Sequence, residues 1–206
     1  MKKFIAALAL TLPLLNAHAA YIVDTGAAGS GPYWVFDESQ YFAAEFTTTQ
    51  AYRIKSLESV FSSFGAGNVT FGISTDAGTY PGTSLFSKTV AFATDNDVNW
   101  GGAYDLDYRL EAGTYWITFV PDAAFRGAMP GVATTPLDRY AQGNYSNWYT
   151  GGATDYAFLK LAVRIDGEVA APDSEVPEPA TAALAGIAAL GLIVSRKRKQ
   201  GTHTAG

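Results

Sequence analysis

The sequence predicts an all-β protein, a single jelly-roll-like antiparallel β-sandwich flanked by two short non-globular ends. Three observations carry this. Apolar and polar residues alternate at period two in several short runs. The breaks between those runs hold Gly, Pro, Asn and Asp in turn-forming combinations. Helical periodicity is scarce ahead of the carboxy-terminal tail.

The chain opens on "MKKFIAALALTLPLLNAHAA". Lys2 and Lys3 precede an apolar stretch from Phe4 to Leu15, and Ala17-His18-Ala19 offers small residues at the positions a signal peptidase reads. Residues 1–19 are therefore expected to be a signal peptide, and the chain is expected to cross the inner membrane amino end first.

Residues 20–170 are the expected sandwich. In "NVTFGIST", Val69, Phe71 and Ile73 alternate with Thr70, Gly72 and Ser74, the pattern of a half-buried strand. In "TYWITFVP", Tyr115, Ile117 and Phe119 share one face, Trp116, Thr118 and Val120 the other, and Pro121 ends the run. "YFAAEFTT", "YRIKSLESVF", "LFSKTVAFA", "AYDLDYRL" and "AFLKLAVRID" complete the set of strands. "FGAGN", "DAGTYPGTS", "NWGG", "EAGT", "NYSN" and "TGGATD" read as the turns between them.

Composition bounds the body further. About 155 residues separate the leader from the tail, enough for one ordinary domain with its own core. There is no Cys, so an exported chain of this kind relies on packing rather than disulfides. Between Ala20 and Glu175 eighteen acidic side chains face eight basic ones, a net charge of −10. Nucleic acid is excluded as a partner, because phosphate binding needs clustered positive charge.

The carboxy-terminal end has a different character. Residues 171–175 read as a polar linker. Val176-Pro177-Glu178-Pro179 then leads into an apolar run from Ala180 to Val194, followed by Arg196, Lys197, Arg198 and Lys199, with residues 200–206 as a short tail. As a helix the apolar run is about 22 Å long at 1.5 Å per residue. A bilayer core is roughly 30 Å thick, so this short hydrophobic helix spans it only with thinning or snorkelling flanks. The basic cluster is expected to stay cytoplasmic and stop transfer.

The order of these three parts, paired with a signal peptide, resembles the PEP-CTERM protein-sorting signal. That resemblance implies recognition by exosortase, a membrane-embedded enzyme of Gram-negative bacteria that make exopolysaccharide, and cleavage of the tail. The body would then reach the cell surface or the extracellular space. The body also resembles the β-sandwich domains found upstream of such tails. The shared positions are an Asp-x-Gly-x-x-Pro-Gly turn at Asp76, Gly78, Pro81 and Gly82, and "AGTYW" at Ala112 to Trp116. The resemblance implies a fold and no reaction.

Catalytic chemistry is sharply limited. His18 and His203 are the only histidines, and neither lies in the body. Ser-His-Asp and Cys-His catalysis are excluded there, as are zinc sites built on imidazole or thiolate. Carboxylate pairs remain, at Asp105 with Asp107 and at Asp37 with Glu38, as for a glycoside hydrolase. So many carboxylates form close pairs by chance, and a solvated strand face is the simpler reading. Asp95, Asn96, Asp97 and Asn99 offer oxygen ligands of the kind calcium takes, in what reads as a plain polar turn. No catalytic residue, metal or cofactor is assigned.

One aromatic cluster invites a ligand. "DRYAQGNYSNWYTGGATD" reads as a long loop that sets Tyr140, Tyr145, Trp148 and Tyr149 among Asn, Ser and Gly. Aromatic faces stack on sugar rings while amides hold hydroxyls, so an exopolysaccharide contact is one expectation; a plug at the end of the sandwich is the other. The resulting reading is an exported, non-enzymatic structural or adhesive protein of the envelope or biofilm matrix. A carbohydrate-binding module and a carboxylate-dependent glycoside hydrolase are the alternatives.

Overall fold

A computed structural model describes residues 20–28, 30–145, 147–149 and 153–171. In chain order its strands are β1 (Ala20–Asp24), β2 (Tyr33–Phe36), β3 (Tyr41–Thr48), β4 (Tyr52–Gly65), β5 (Gly67–Asp76), β6 (Pro81–Phe92), β7 (Asp95–Ala103), β8 (Tyr108–Leu110), β9 (Gly113–Pro121), β10 (Arg126–Pro130), β11 (Tyr140–Asn144), β12 (Asn147–Trp148) and β13 (Val163–Val169). A 3-10 helix, Ala153–Leu159, precedes β13. The expected signal peptide at 1–19, and the sorting segment at 176–199 with its expected hydrophobic helix, lie outside the described residues. Among the described residues no helix is long and apolar enough to cross a membrane.

The strands form two antiparallel sheets. The first runs β1-β13-β4-β10-β2, with β7 and β8 also paired to β4, and the second runs β12-β11-β3-β9-β5-β6. The chain passes repeatedly from one sheet to the other, at β3 to β4, β4 to β5, β6 to β7, β8 to β9, β9 to β10 and again before β11. The fold is an all-β sandwich, as the sequence predicts. The 14-residue β4 organises the first sheet. Along one edge it carries β13 and then β10; along the other it carries β8 and then β7. Lys55 has no partner in the β13 register, a bulge that lets Ile54 and Leu57 both face the core.

The core is aromatic. Phe61 of β4 packs on Phe36, Phe71, Phe92 and Phe125 at centroid distances of 5.7, 6.5, 5.0 and 6.0 Å. Val69, Phe71 and Ile73 of β5 are fully buried, as their alternation predicts, and so are Ile117 and Phe119 of β9. Thr70 faces away, its hydroxyl 2.8 Å from that of Thr89 in β6. Each of these large side chains contributes roughly 1.5–3 kcal/mol through burial alone.

Four segments depart from the expected layout. "AYDLDYRL" is not one strand: β7 ends at Ala103, Asp105 takes a positive φ of 52°, and β8 starts at Tyr108. "AFLKLAVRID" begins in the 3-10 helix, turns at Lys160 with φ 45°, and becomes extended only at Val163. "DNDVN" and "NWGG" are not turns but the body of β7, paired with β4 from Leu57 to Ser63. The segment from Tyr140 to Trp148 is not a long loop but a hairpin, β11 with β12, whose register pairs Gly143 with Trp148. The compact unit closes at Ala170, whose N–H donates to Ala51 O at 2.9 Å.

Candidate functional site

The hairpin separates the aromatic residues that the sequence grouped. Tyr140 points into the core and is fully buried. Its hydroxyl accepts from Leu137 N at 3.0 Å and donates to Leu161 O at 3.3 Å, and burial pushes the phenol up to about 12. Trp148 is half-buried, its ring edge-on to Tyr41 at 4.9 Å. Its other neighbours form a small cluster of Ala43, Trp116 and Ala141. Tyr145, at the turn with φ 43°, and Tyr149 are exposed. Two of the four side chains are therefore open to solvent, on a tight two-strand edge.

The carboxylates are mostly occupied. Asp107 lies 2.5 Å from Arg53 and 3.9 Å from Lys55. The Arg53 hydrogen bond, reinforced by both positive charges, holds its carboxyl below the usual range. Asp105 sits in the turn and not beside Asp107 on a strand face. Asp37 accepts from Ser39 N at 2.8 Å and Ser39 Oγ at 2.6 Å, closing the turn between β2 and β3. Asp95 accepts from Asp97 N at 3.0 Å and lies 3.3 Å from Asn99 Nδ2. Among the described residues no group of three or more His, Cys, Asp or Glu side chains gathers as metal ligands.

The outer face of the second sheet holds a polar cluster that joins the turn at Asp76 and Gly78 to Trp116 of β9. Trp116 faces away from the core yet is fully buried, and its Nε1 donates to Asp76 Oδ1 at 2.9 Å. The same oxygen accepts from Gly78 N at 2.9 Å, and Gly78 holds a φ of +98° that only glycine tolerates readily. Arg139 lies over the Trp116 ring at 6.0 Å, donates to Glu45 Oε2 at 2.5 Å, and also donates to Gly78 O. Burial raises the Glu45 carboxyl, Arg139 opposing it, so the pair locks the β5–β6 turn onto β3.

The first sheet presents a concave outer face that the sequence did not point to. Val60 of β4, Val98, Asn99 and Trp100 of β7, Tyr33 of β2, Pro130 at the end of β10 and Val132 beyond it line a groove of about 330 Å³. Arg164, which does not line the groove, stacks on Trp100 at 3.9 Å and on Tyr21 at 5.2 Å while paired with Asp24 at 3.0 Å. The guanidinium thereby covers one face of the Trp100 ring and holds it in place. No sequence signal marked these residues, because they come from strands far apart in the chain.

Comparison with known families places one part of the chain. Residues 175–199 match the PEP-CTERM protein-sorting motif. The chain carries a PEP-CTERM sorting motif. The matched span contains Val176-Pro177-Glu178-Pro179 and Arg196 to Lys199. The PEP-CTERM motif directs a chain to exosortase, so this protein is exported, held transiently at the membrane and delivered to the cell surface. No curated protein matches the PEP-CTERM chain.

Proposed function

We propose that this PEP-CTERM protein is a non-catalytic structural or adhesive component of the cell envelope or extracellular matrix, released from its tail by exosortase. The match at residues 175–199, carried on an all-β body, supports the reading most directly. Residues 1–19 act as the signal peptide and are removed by signal peptidase. The absence of His and Cys from the body, and the pairing of Asp107 and Asp37 with their neighbours, favour a role without covalent or acid–base chemistry. A dense aromatic core without disulfides suits a domain that keeps its shape outside the cell.

Replacement of Pro177, Glu178 and Pro179 by alanine, in a host with exosortase, is the test of this function. Uncut protein is expected to accumulate in the membrane fraction. Processing of the variant at the wild-type rate would overturn the reading. Assay of the purified chain on peptide, ester, phosphoester and polysaccharide substrates is expected to show no hydrolysis. An activity abolished by one Asp or Glu substitution would replace the structural role with the hydrolase.

A further inference from the structure

We infer that the groove on the outer face of the first sheet is a binding site for a neutral polysaccharide chain. The groove is concave and about 330 Å³ in volume, the size that takes one or two sugar rings. Its walls combine Tyr33 and Trp100 with Val60, Val98 and Val132. A sugar ring presents C–H faces and an equatorial belt of hydroxyls. Indole and phenol faces match the first, while the Tyr33 hydroxyl and the Trp100 indole N–H match the second.

Charge selects among polysaccharides. None of the groove-lining side chains is charged, and the surrounding body carries −10 between Ala20 and Glu175. Glu58, two residues before Val60 on β4 and bonded to Ser56 and Tyr104, is one of the body's acidic side chains. An anionic glycan would meet repulsion there with no guanidinium free to offset it, since Arg164 is tied to Asp24. A neutral chain meets none. Preorganisation also favours the site: Arg164 holds the Trp100 ring before any ligand arrives, which lowers the entropic cost of binding. Tyr33 and Val98 are exposed at 56% and 39%, so the walls are open to a chain passing through.

The inference rests on the proposed function only for where the ligand is met, and its test is separate from tail processing. The full chain, purified in a non-glycosidic detergent, is titrated with dextran, mannan, β-1,3-glucan and β-1,4-glucan oligomers, with alginate as the anionic comparison. Tryptophan fluorescence and calorimetry read the binding. At least one neutral glycan is expected to bind and alginate is not. Trp100→Ala is expected to weaken binding by about tenfold or more, and Tyr33→Ala by about threefold or more. Leu85→Ala, on the far sheet, is expected to leave binding unchanged. Because Trp100→Ala also removes a packing partner of Arg164, the exposed Tyr33 position keeps the test independent of folding. No neutral glycan bound by the wild type, or unchanged binding in the Trp100 and Tyr33 variants, would overturn the site. So would loss of binding in Trp148→Ala alone, or a dimer that Trp100→Ala dissolves without any glycan effect.

Discussion

The indole of Trp116 in β9 is hydrogen-bonded to the Asp76 carboxylate at the end of β5, 40 residues away, at 2.9 Å. The same carboxylate oxygen receives the Gly78 N–H and so shapes the turn into β6. One side chain thus closes a tight turn and satisfies a buried donor on the neighbouring strand.

Asp76→Ala should therefore leave a fully buried indole N–H without an acceptor. Stability is expected to fall by about 1–3 kcal/mol, while Asp76→Asn, which keeps an acceptor oxygen, should lose less. Urea unfolding monitored by tryptophan fluorescence measures both. Equal stability of the alanine variant and the wild type would show that the bond contributes nothing.

The faces of β5 make a second prediction. Phe71→Asp or Ile73→Asp places a charge in the aromatic core and is expected to prevent folding, at a cost of several kcal/mol. Thr70→Asp, on the opposite face, loses only the hydroxyl contact with Thr89 and is expected to cost under about 1 kcal/mol. Far-ultraviolet circular dichroism distinguishes them. Equal tolerance at the three positions would reverse the assignment of faces.

Tyr140 sets an alkaline limit. Its phenol is pushed from 10.0 up to about 12 by burial in the folded state. Between those values the unfolded chain loses the proton that the folded chain keeps. The folded state then binds more protons, so stability falls as pH rises from about 10 towards about 12. Tyr140→Phe should flatten that part of the profile, at the expense of the hydrogen bonds to Leu137 and Leu161. Denaturant midpoints across this pH range, compared between the two proteins, give the answer; identical slopes would contradict it.

Trp148→Ala should act on stability. The ring packs edge-on to Tyr41 and against the cluster around Trp116, but it is only half-buried. A loss below the ~3–5 kcal/mol of a fully buried Trp is expected, with the melting temperature lowered by several degrees. An unchanged melting temperature would mean that the side chain is free for other contacts.

Alternation made β3, β5 and β9 legible, because each buries one regular face and is bounded by turn residues. The cluster that closes the β5–β6 turn was legible only in part: Asp76 and Trp116 stood out as sequence, and their bond did not. β7 was hidden by its composition. Asp95, Asn96, Asp97 and Asn99 face solvent, and the glycines that suggested a turn are close-approach positions; a Cβ at Gly102 would lie 2.4 Å from Leu57 O. The hairpin of β11 and β12 was hidden likewise, its Asn and Gly serving an edge strand. The groove around Trp100 had no local signature at all. Its walls come from β2, β4, β7 and the segment after β10, and only the sheet order brings them together.

The account as a whole depends on processing at the sorting motif. The apolar run from Ala180 to Val194 is short for a permanent anchor, and the basic cluster behind it suits a pause in transfer. The intact mass of the mature protein, isolated from a host with exosortase, tests this most directly. The account predicts loss of residues 1–19 and of the tail from near Pro179 onward, with or without an added mass. A mature protein that still carries Arg196 to Gly206 would contradict it.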